Sequence, residues 1–157
     1  MSSTTYLSEI LGFLKAIDVT VVETSLEDKC FVPGLKIEKD AIYLDTNRLE
    51  FAGDLLHEAG HLAVTPAKQR QHIGTSKMCP EWPSLGDEIV AMLWSFAAAR
   101  HLQIPIDIVF HEGGYKGQSK WLITQFNTGN YLGLPLLVWM GLCEAEQFPK
   151  MNKWLRD

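Results

Sequence analysis

Residues 49–64, LEFAGDLLHEAGHLAV, decide the fold of this chain because they have the pattern of an amphipathic helix. At about 100° per residue, the side chains that could bind a metal or a proton fall on one arc of such a helix, and the apolar side chains fall on another. The titratable arc contains Glu50, Asp54, His57, Glu58 and His61. We therefore predict a helix that packs its apolar face into the core and presents the other face to a site.

Within this stretch, His57-Glu58-Ala59-Gly60-His61 has the spacing H-E-x-x-H. Imidazoles at i and i+4 lie one turn apart, so both can reach the same ion. The glutamate between them points too far round to be a good ligand, but it can hold a metal-bound water. Zn²⁺ suits this pattern because it accepts imidazole nitrogen and leaves a position open for water. We predict a zinc site with His57 and His61 as ligands and Glu58 as the general base.

A third ligand is expected from the next predicted helix, at about residues 86–101, because two histidines seldom hold a catalytic zinc alone. This helix offers Asp87 and Glu88. Small side chains surround Glu88 on the helical wheel, and Gly53 and Gly60 lie beside the histidines, so the two helices could approach closely. Asp87 is as well explained as an acid at a helix start. We favour Glu88 as the third ligand and keep Asp87 as the alternative.

The remaining segments predict an α+β fold, mostly helical, with a small sheet before the H-E-x-x-H helix. Residues 8–17 are predicted to be helical, residues 19–23 a strand, and residues 31–45 a β-hairpin. The hairpin could offer an edge to an extended peptide or serve only as core architecture. The long loop 67–84 is either a lid or an exposed connector. The tail, 148–157, is predicted to close with a short helix, and the five tryptophans are predicted to build the core and its edges.

Length and charge limit the classes of function. With 157 residues, 46% of them hydrophobic, the chain can form one compact core, and we expect residues 1–157 to be a single domain. The net charge is −5, and the 14 Lys and Arg residues are scattered. No basic patch of the kind that binds nucleic acid is visible, so we expect no nucleic-acid partner.

Cysteine usage and hydropathy predict a cytoplasmic protein. Cys30, Cys79 and Cys143 are odd in number and contain no C-x-x-C pair, so they fit neither a disulfide framework nor a cysteine zinc knot. No signal peptide is visible in residues 1–6. The most apolar stretch, 132–143, is too short to span a bilayer, so we expect no membrane partner.

The motif at residues 57–61, followed by an acid in a downstream helix, resembles the gluzincin arrangement of zinc-dependent metallopeptidases. The compact size and the alanine-rich helix after Asp87 resemble, more loosely, the small IrrE/ImmA-type cytoplasmic metallopeptidase domains. The resemblance covers about residues 43–100. It implies a zincin-like domain that acts on a peptide or protein substrate, with His57, His61 and Glu88 on zinc and Glu58 activating water.

Several residues depart from these families. A metzincin would have Gly at position 64 and His at position 67, where this chain has Val64 and Ala67. A thermolysin-like helix places Asp four residues after the ligand glutamate, where this chain has Met92, so Asp54 is our candidate partner for a ligand histidine. The IrrE/ImmA-type domains often adjoin a DNA-binding module, for which we see no room, and a repressor-cleaving role is not expected.

A peptide hydrolase also needs a donor that stabilises the oxyanion. The candidates are His111, Tyr115 and Tyr131, and the glycine-rich loop 111–117 could present the first two, although its glycines would also suit a simple turn. We predict Tyr115 and His111 as catalytic candidates beside Glu58. The alternative function is a non-catalytic metal-binding interaction or regulatory protein that retains the site.

Overall fold

The computed structural model describes residues 3–27 and 30–157. It has a three-stranded sheet, seven helices and a 3₁₀ turn at Tyr115–Gly117 within these residues, which confirms the predicted α+β class. In chain order the elements are α1 (Ser3–Ala16), β1 (Thr20–Glu23), β2 (Leu35–Glu38), β3 (Ala41–Leu44), α2 (Ala52–Ala63), α3 (Ala67–Arg70), α4 (Leu85–Leu102), α5 (Ile106–Val109), α6 (Ser119–Asn127) and α7 (Leu134–Trp139).

The sheet has the strand order β1-β3-β2. β2 and β3 form the predicted antiparallel hairpin, with Ile37 opposite Ile42, and β1 lies parallel to β3 on its other side. Ile42 and Leu44 are fully buried, as expected for alternate residues of a central strand. Because β3 is the central strand, β2 lies at an edge of the sheet. Helices α1 and α2 both pack against the sheet.

Helix α2 occupies the centre of the molecule, inside the predicted range 49–64. Its apolar face is fully buried at Leu55, Leu56, Ala59 and Ala63, which confirms the predicted core face. The most extensive packing between helices is that of α2 against α4. A Cβ added at Gly60 would lie 2.8 Å from the Ala91 carbonyl oxygen, so only glycine permits this approach. The predicted close packing beside the histidines is thus present.

Replacing Gly53 should strongly destabilise the protein. A Cβ at this position would collide with the backbone carbonyl of Ile108 on α5. Because backbone cannot move aside as a side chain can, we expect Gly53→Ala to lower the free energy of unfolding by about 1–3 kcal/mol or more. Thermal denaturation would measure this. Gly12→Ala is the matched control, since Gly12 lies in α1 with open space around it, and that change should stabilise the protein by about 0.4–1 kcal/mol. Equal stability of the two variants would contradict the packing described here.

Residues 67–84, predicted as a loop, begin with the short helix α3, and both this segment and the tail are attached to the end of α2. Arg70 is buried, and its Nη1 donates to the carbonyl oxygens of Thr65 (3.1 Å) and Arg156 (2.8 Å). Residues 148–157 form turns and an isolated bridge, so the helix predicted there is wrong. The tail is held instead by Trp154, whose carbonyl accepts from Trp94 Nε1 at 2.9 Å and whose ring packs edge-on against Phe13.

Among the residues that the structure describes, no helix combines the length and the apolar character needed to cross a membrane.

Candidate metal centre

Three predicted ligands meet where α2 faces the first turn of α4. The Nε2 atoms of His57 and His61 lie 3.2 Å apart. Each lies 2.9 Å from a different carboxylate oxygen of Glu88. One ligand atom from each residue falls within 4.8 Å of the other two, so this group could hold a metal ion.

Asp87, the alternative third ligand, is engaged elsewhere. Its carboxylate accepts hydrogen bonds from the backbone N–H and the hydroxyl of Ser84, both at 2.9 Å, and Ser84 Oγ accepts from the Asp87 N–H. This reciprocal capping box satisfies backbone donors at the start of α4. Glu88, one residue further round the helix, is left to face α2.

The spacing of the three side chains fits a small divalent ion. Two imidazole nitrogens that each bind a tetrahedral zinc at about 2.0–2.1 Å would lie about 3.3 Å apart. The observed separation of the His57 and His61 nitrogens is 3.2 Å. The donor set, two neutral nitrogens and one carboxylate, is also one that leaves further coordination positions open. The side chains present therefore fit a metal of this kind.

The site is closed on the histidine side and open on the glutamate side. The side chains of His57 and His61 are 12% and 5% exposed, whereas that of Glu88 is 40% exposed. Burial would raise the pKa of Glu88, but hydrogen bonds from both imidazoles outweigh it and hold that pKa well below its ordinary value. Burial would lower the pKa of His61, but the hydrogen bond to Glu88 and the charge of Glu58 raise it above its ordinary value.

Glu58 lies on α2 between the two histidines and is partly buried. Burial raises the pKa of its carboxyl, and the neighbouring His61 and His57 only partly oppose that effect. A carboxylate with a raised pKa in a confined site is suited to accept and return a proton.

Tyr115 also reaches the site. Its ring lies edge-on to the His57 ring, with centroids 5.6 Å apart. Its hydroxyl oxygen is buried and has no hydrogen-bond partner among the described residues. The residue has a φ of 59°, in the left-handed region that non-glycine residues rarely adopt. Burial, together with the charges of Asp54, Glu88 and Glu58, raises the pKa of Tyr115 well above its ordinary value, so the hydroxyl keeps its proton and can donate.

His111 lies beside the site but is not one of the three candidate ligands, His57, His61 and Glu88, which we call the triad. Its Nε2 lies 2.6 Å from Asp54 Oδ1, and its ring stacks on Phe51 with centroids 3.7 Å apart. Asp54 is thus paired with His111, and the prediction that it supports a ligand histidine is wrong, because the loop after α5 brings another imidazole closer. Tyr131, the third candidate donor, packs instead against the rings of Phe96 and Phe148.

One residue beside the site was not predicted. Trp82, in the long loop before α4, lies edge-on to His61 with ring centroids 6.2 Å apart. Its indole Nε1 donates to Thr65 Oγ1 at 3.0 Å. Trp82 was predicted only as one of the tryptophans that build the core and its edges, since neither its position in the sequence nor its neighbours there indicated this contact.

No protein-family model, curated protein or solved structure matches this chain. The resemblance to gluzincins and to IrrE/ImmA-type domains therefore stays a prediction based on the motif residues.

Proposed function

We propose that this protein is a zinc-dependent hydrolase of the metallopeptidase type, acting on a peptide or protein substrate. The observation that carries the proposal is the convergence of His57 Nε2, His61 Nε2 and the Glu88 carboxylate from two helices on one point. Zinc is the metal we propose because it combines imidazole and carboxylate ligands with an open position for the reacting groups. The three free cysteines fit a reducing compartment, and we propose the cytoplasm.

Zinc bound at this triad would polarise the scissile carbonyl and lower the pKa of water to about 7. Glu58 then acts as the general base, taking a proton from the attacking water at its carboxylate. The same carboxyl returns that proton to the leaving amine as the peptide bond breaks. Burial of Glu58 raises the pKa of its carboxyl, which brings it closer to the range in which one group can both accept and return a proton.

Tyr115 is the donor that we propose for the oxyanion. Its hydroxyl is buried, protonated and without a partner among the described residues, so a hydrogen bond to substrate would give it its first acceptor. His111 is less available, because its Nε2 is paired with Asp54 Oδ1 at 2.6 Å. We therefore give His111 a positioning role, in which it attaches the glycine-rich loop to α2 and so places Tyr115.

Tyr115→Phe separates this role from a structural one. Because the hydroxyl has no partner in the described structure, its removal should leave stability unchanged or raise it by up to about 1 kcal/mol. The same change should lower kcat by about 10²–10³-fold, the usual cost of losing one oxyanion donor. Thermal denaturation and peptide hydrolysis measure the two effects. Full activity in the phenylalanine variant would remove Tyr115 from the mechanism.

The hydrolase itself is tested by turnover of a peptide library before and after metal is removed with a chelator. Cleavage that stops on chelation and returns with Zn²⁺, while circular dichroism shows that the fold persists, is the expected result. Cleavage that continues without metal would overturn the proposal.

A non-catalytic metal-binding protein is the second candidate. It is favoured by the exposed apolar side chains around α7, where Leu132 is 45% exposed and Trp139 is 71% exposed, since such side chains often contact partners. If the metal serves only stability, chelation should lower the melting temperature and no substrate of the library should be cleaved.

A further inference from the structure

The outer nitrogens of both ligand histidines lack support. The Nδ1 atoms of His57 and His61 are buried, and neither has a hydrogen-bond partner among the described residues. A histidine that binds a metal usually donates its second N–H to a carboxylate, a carbonyl or a water, which fixes the plane of the ring. Among the described residues, no protein group fixes the two ring planes through these nitrogens, so the contacts of the rings themselves are of interest.

Edge-to-face packing holds them here. Four rings form a row, which we call the aromatic row, in the order Trp82, His61, His57 and Tyr115. The successive centroid distances are 6.2, 4.8 and 5.6 Å, and the interplanar angles are 69°, 86° and 82°. These separations lie within the range of about 4.5–7 Å in which aromatic rings attract edge to face. Trp82 and Tyr115 thus enclose the two imidazoles from opposite ends.

Trp82 is joined to His61 a second time through the backbone. Its indole N–H donates to Thr65 Oγ1 at 3.0 Å, and that hydroxyl donates to the carbonyl oxygen of His61 at 2.7 Å. Thr65 is 1% exposed, so both hydrogen bonds are shielded from water. The indole therefore contacts the His61 ring and, through Thr65, the His61 backbone, which leaves the imidazole little freedom to rotate.

We propose that Trp82 is a positioning residue for the metal ligand His61, with Thr65 as its bridge to α2. In this role Trp82 fixes the plane of the His61 ring through the edge-on ring contact and the hydrogen bonds by way of Thr65. The loop 67–84 is then neither a lid nor a mere connector, since it carries a fixed wall of the site. The inference rests on metal binding by the triad but not on hydrolysis.

The test is metal affinity together with the visible absorption spectrum of bound Co²⁺, which reports ligand geometry. Zn²⁺ affinity is measured by competition with a chelator for the wild type, Trp82→Ala, Trp82→Phe and Thr65→Val. We expect Trp82→Ala to weaken Zn²⁺ binding by about 10–100-fold, the usual cost of losing an outer support, and to change the Co²⁺ spectrum. Trp82→Phe keeps an aromatic ring but loses the indole N–H. Thr65→Val keeps the shape of the side chain but loses the hydroxyl that joins Trp82 to His61. Both variants should therefore lose less Zn²⁺ affinity than Trp82→Ala.

Trp121→Phe is the matched control, because this tryptophan lies on α6 and is 49% exposed. It should leave affinity and spectrum unchanged. If Trp82 merely stabilises its loop, Trp82→Ala will lower the melting temperature of the metal-free protein yet leave the Zn²⁺ affinity and Co²⁺ spectrum as in the wild type, and the inference is overturned. Should Trp82→Ala not fold, unchanged affinity and spectrum in both Trp82→Phe and Thr65→Val would overturn it equally. A wild type that binds neither metal would overturn the metal site as a whole, which is a distinct result.

Discussion

Glu88→Ala is expected to abolish stoichiometric binding of metal. The Glu88 carboxylate is the only acid in the triad, and each of its oxygens lies 2.9 Å from an imidazole nitrogen. Removing it leaves two neutral ligands and no negative charge to offset that of the ion. The metal affinity should therefore fall by more than the roughly 10–100-fold that is lost when a group supporting a ligand from outside is removed. Elemental analysis of purified wild type and variant measures the metal content directly. His57→Ala should show the same loss.

Asp87→Asn provides a matched control for this prediction. Asp87 is the adjacent acid in the same helical turn, but its carboxylate caps α4 through Ser84. Asp87→Asn should cost about 0.3–1 kcal/mol of stability, because a negative charge is lost from the helix N-terminus, while the metal content stays that of the wild type. Metal lost in Asp87→Asn and kept in Glu88→Ala would reverse our assignment of the third ligand.

Glu58→Gln is expected to remove activity and keep the metal. The change preserves the size of the side chain, so the helix and the triad should be undisturbed. It removes the group that accepts and returns the proton, which we expect to lower kcat by about 10²–10⁴-fold. Peptide turnover and elemental analysis on the same preparation measure both parts of the result.

Glu50→Gln is the matched control, because it makes the same change at a glutamate that lies near Glu58 in the sequence. Glu50 is exposed and lies before α2, so this variant should hydrolyse peptides like the wild type. Wild-type turnover by Glu58→Gln would exclude Glu58 as the base. Loss of metal from Glu58→Gln would instead mean that Glu58 belongs to the ligand set.

The choice of Glu88 over Asp87 as the third ligand shows how much a local sequence pattern can predict. The helical wheel predicted that Glu88 would lie on the small face of its helix, and Gly60 does approach the backbone of Ala91 on that face. The capping box of Ser84 and Asp87 is also a local pattern, since its two residues lie three positions apart. The face of α4 that carries Glu88 and the capping box at its start are both set within one helix, so the local sequence specifies them.

The two errors at this site and in the tail have a different origin. Asp54 was expected to support a ligand histidine, but it pairs with His111, which lies 57 residues away along the chain. The tail was expected to be helical, but Trp154 is held by the Trp94 indole and the Phe13 ring. In each case the partner comes from a distant segment whose position no local pattern specifies.

The class of fold, the position of α2 with its apolar face, and the two histidines with a glutamate between them could be predicted from the sequence, because residues within a few positions of one another set helical periodicity. The contact of Trp82 with His61 could not, nor could the approach to His57 of the Tyr115 hydroxyl, which has no partner among the described residues. The physical reason is that these contacts join separate elements. They depend on how whole helices and loops pack around one core, and side-chain spacing along the chain carries no record of that packing.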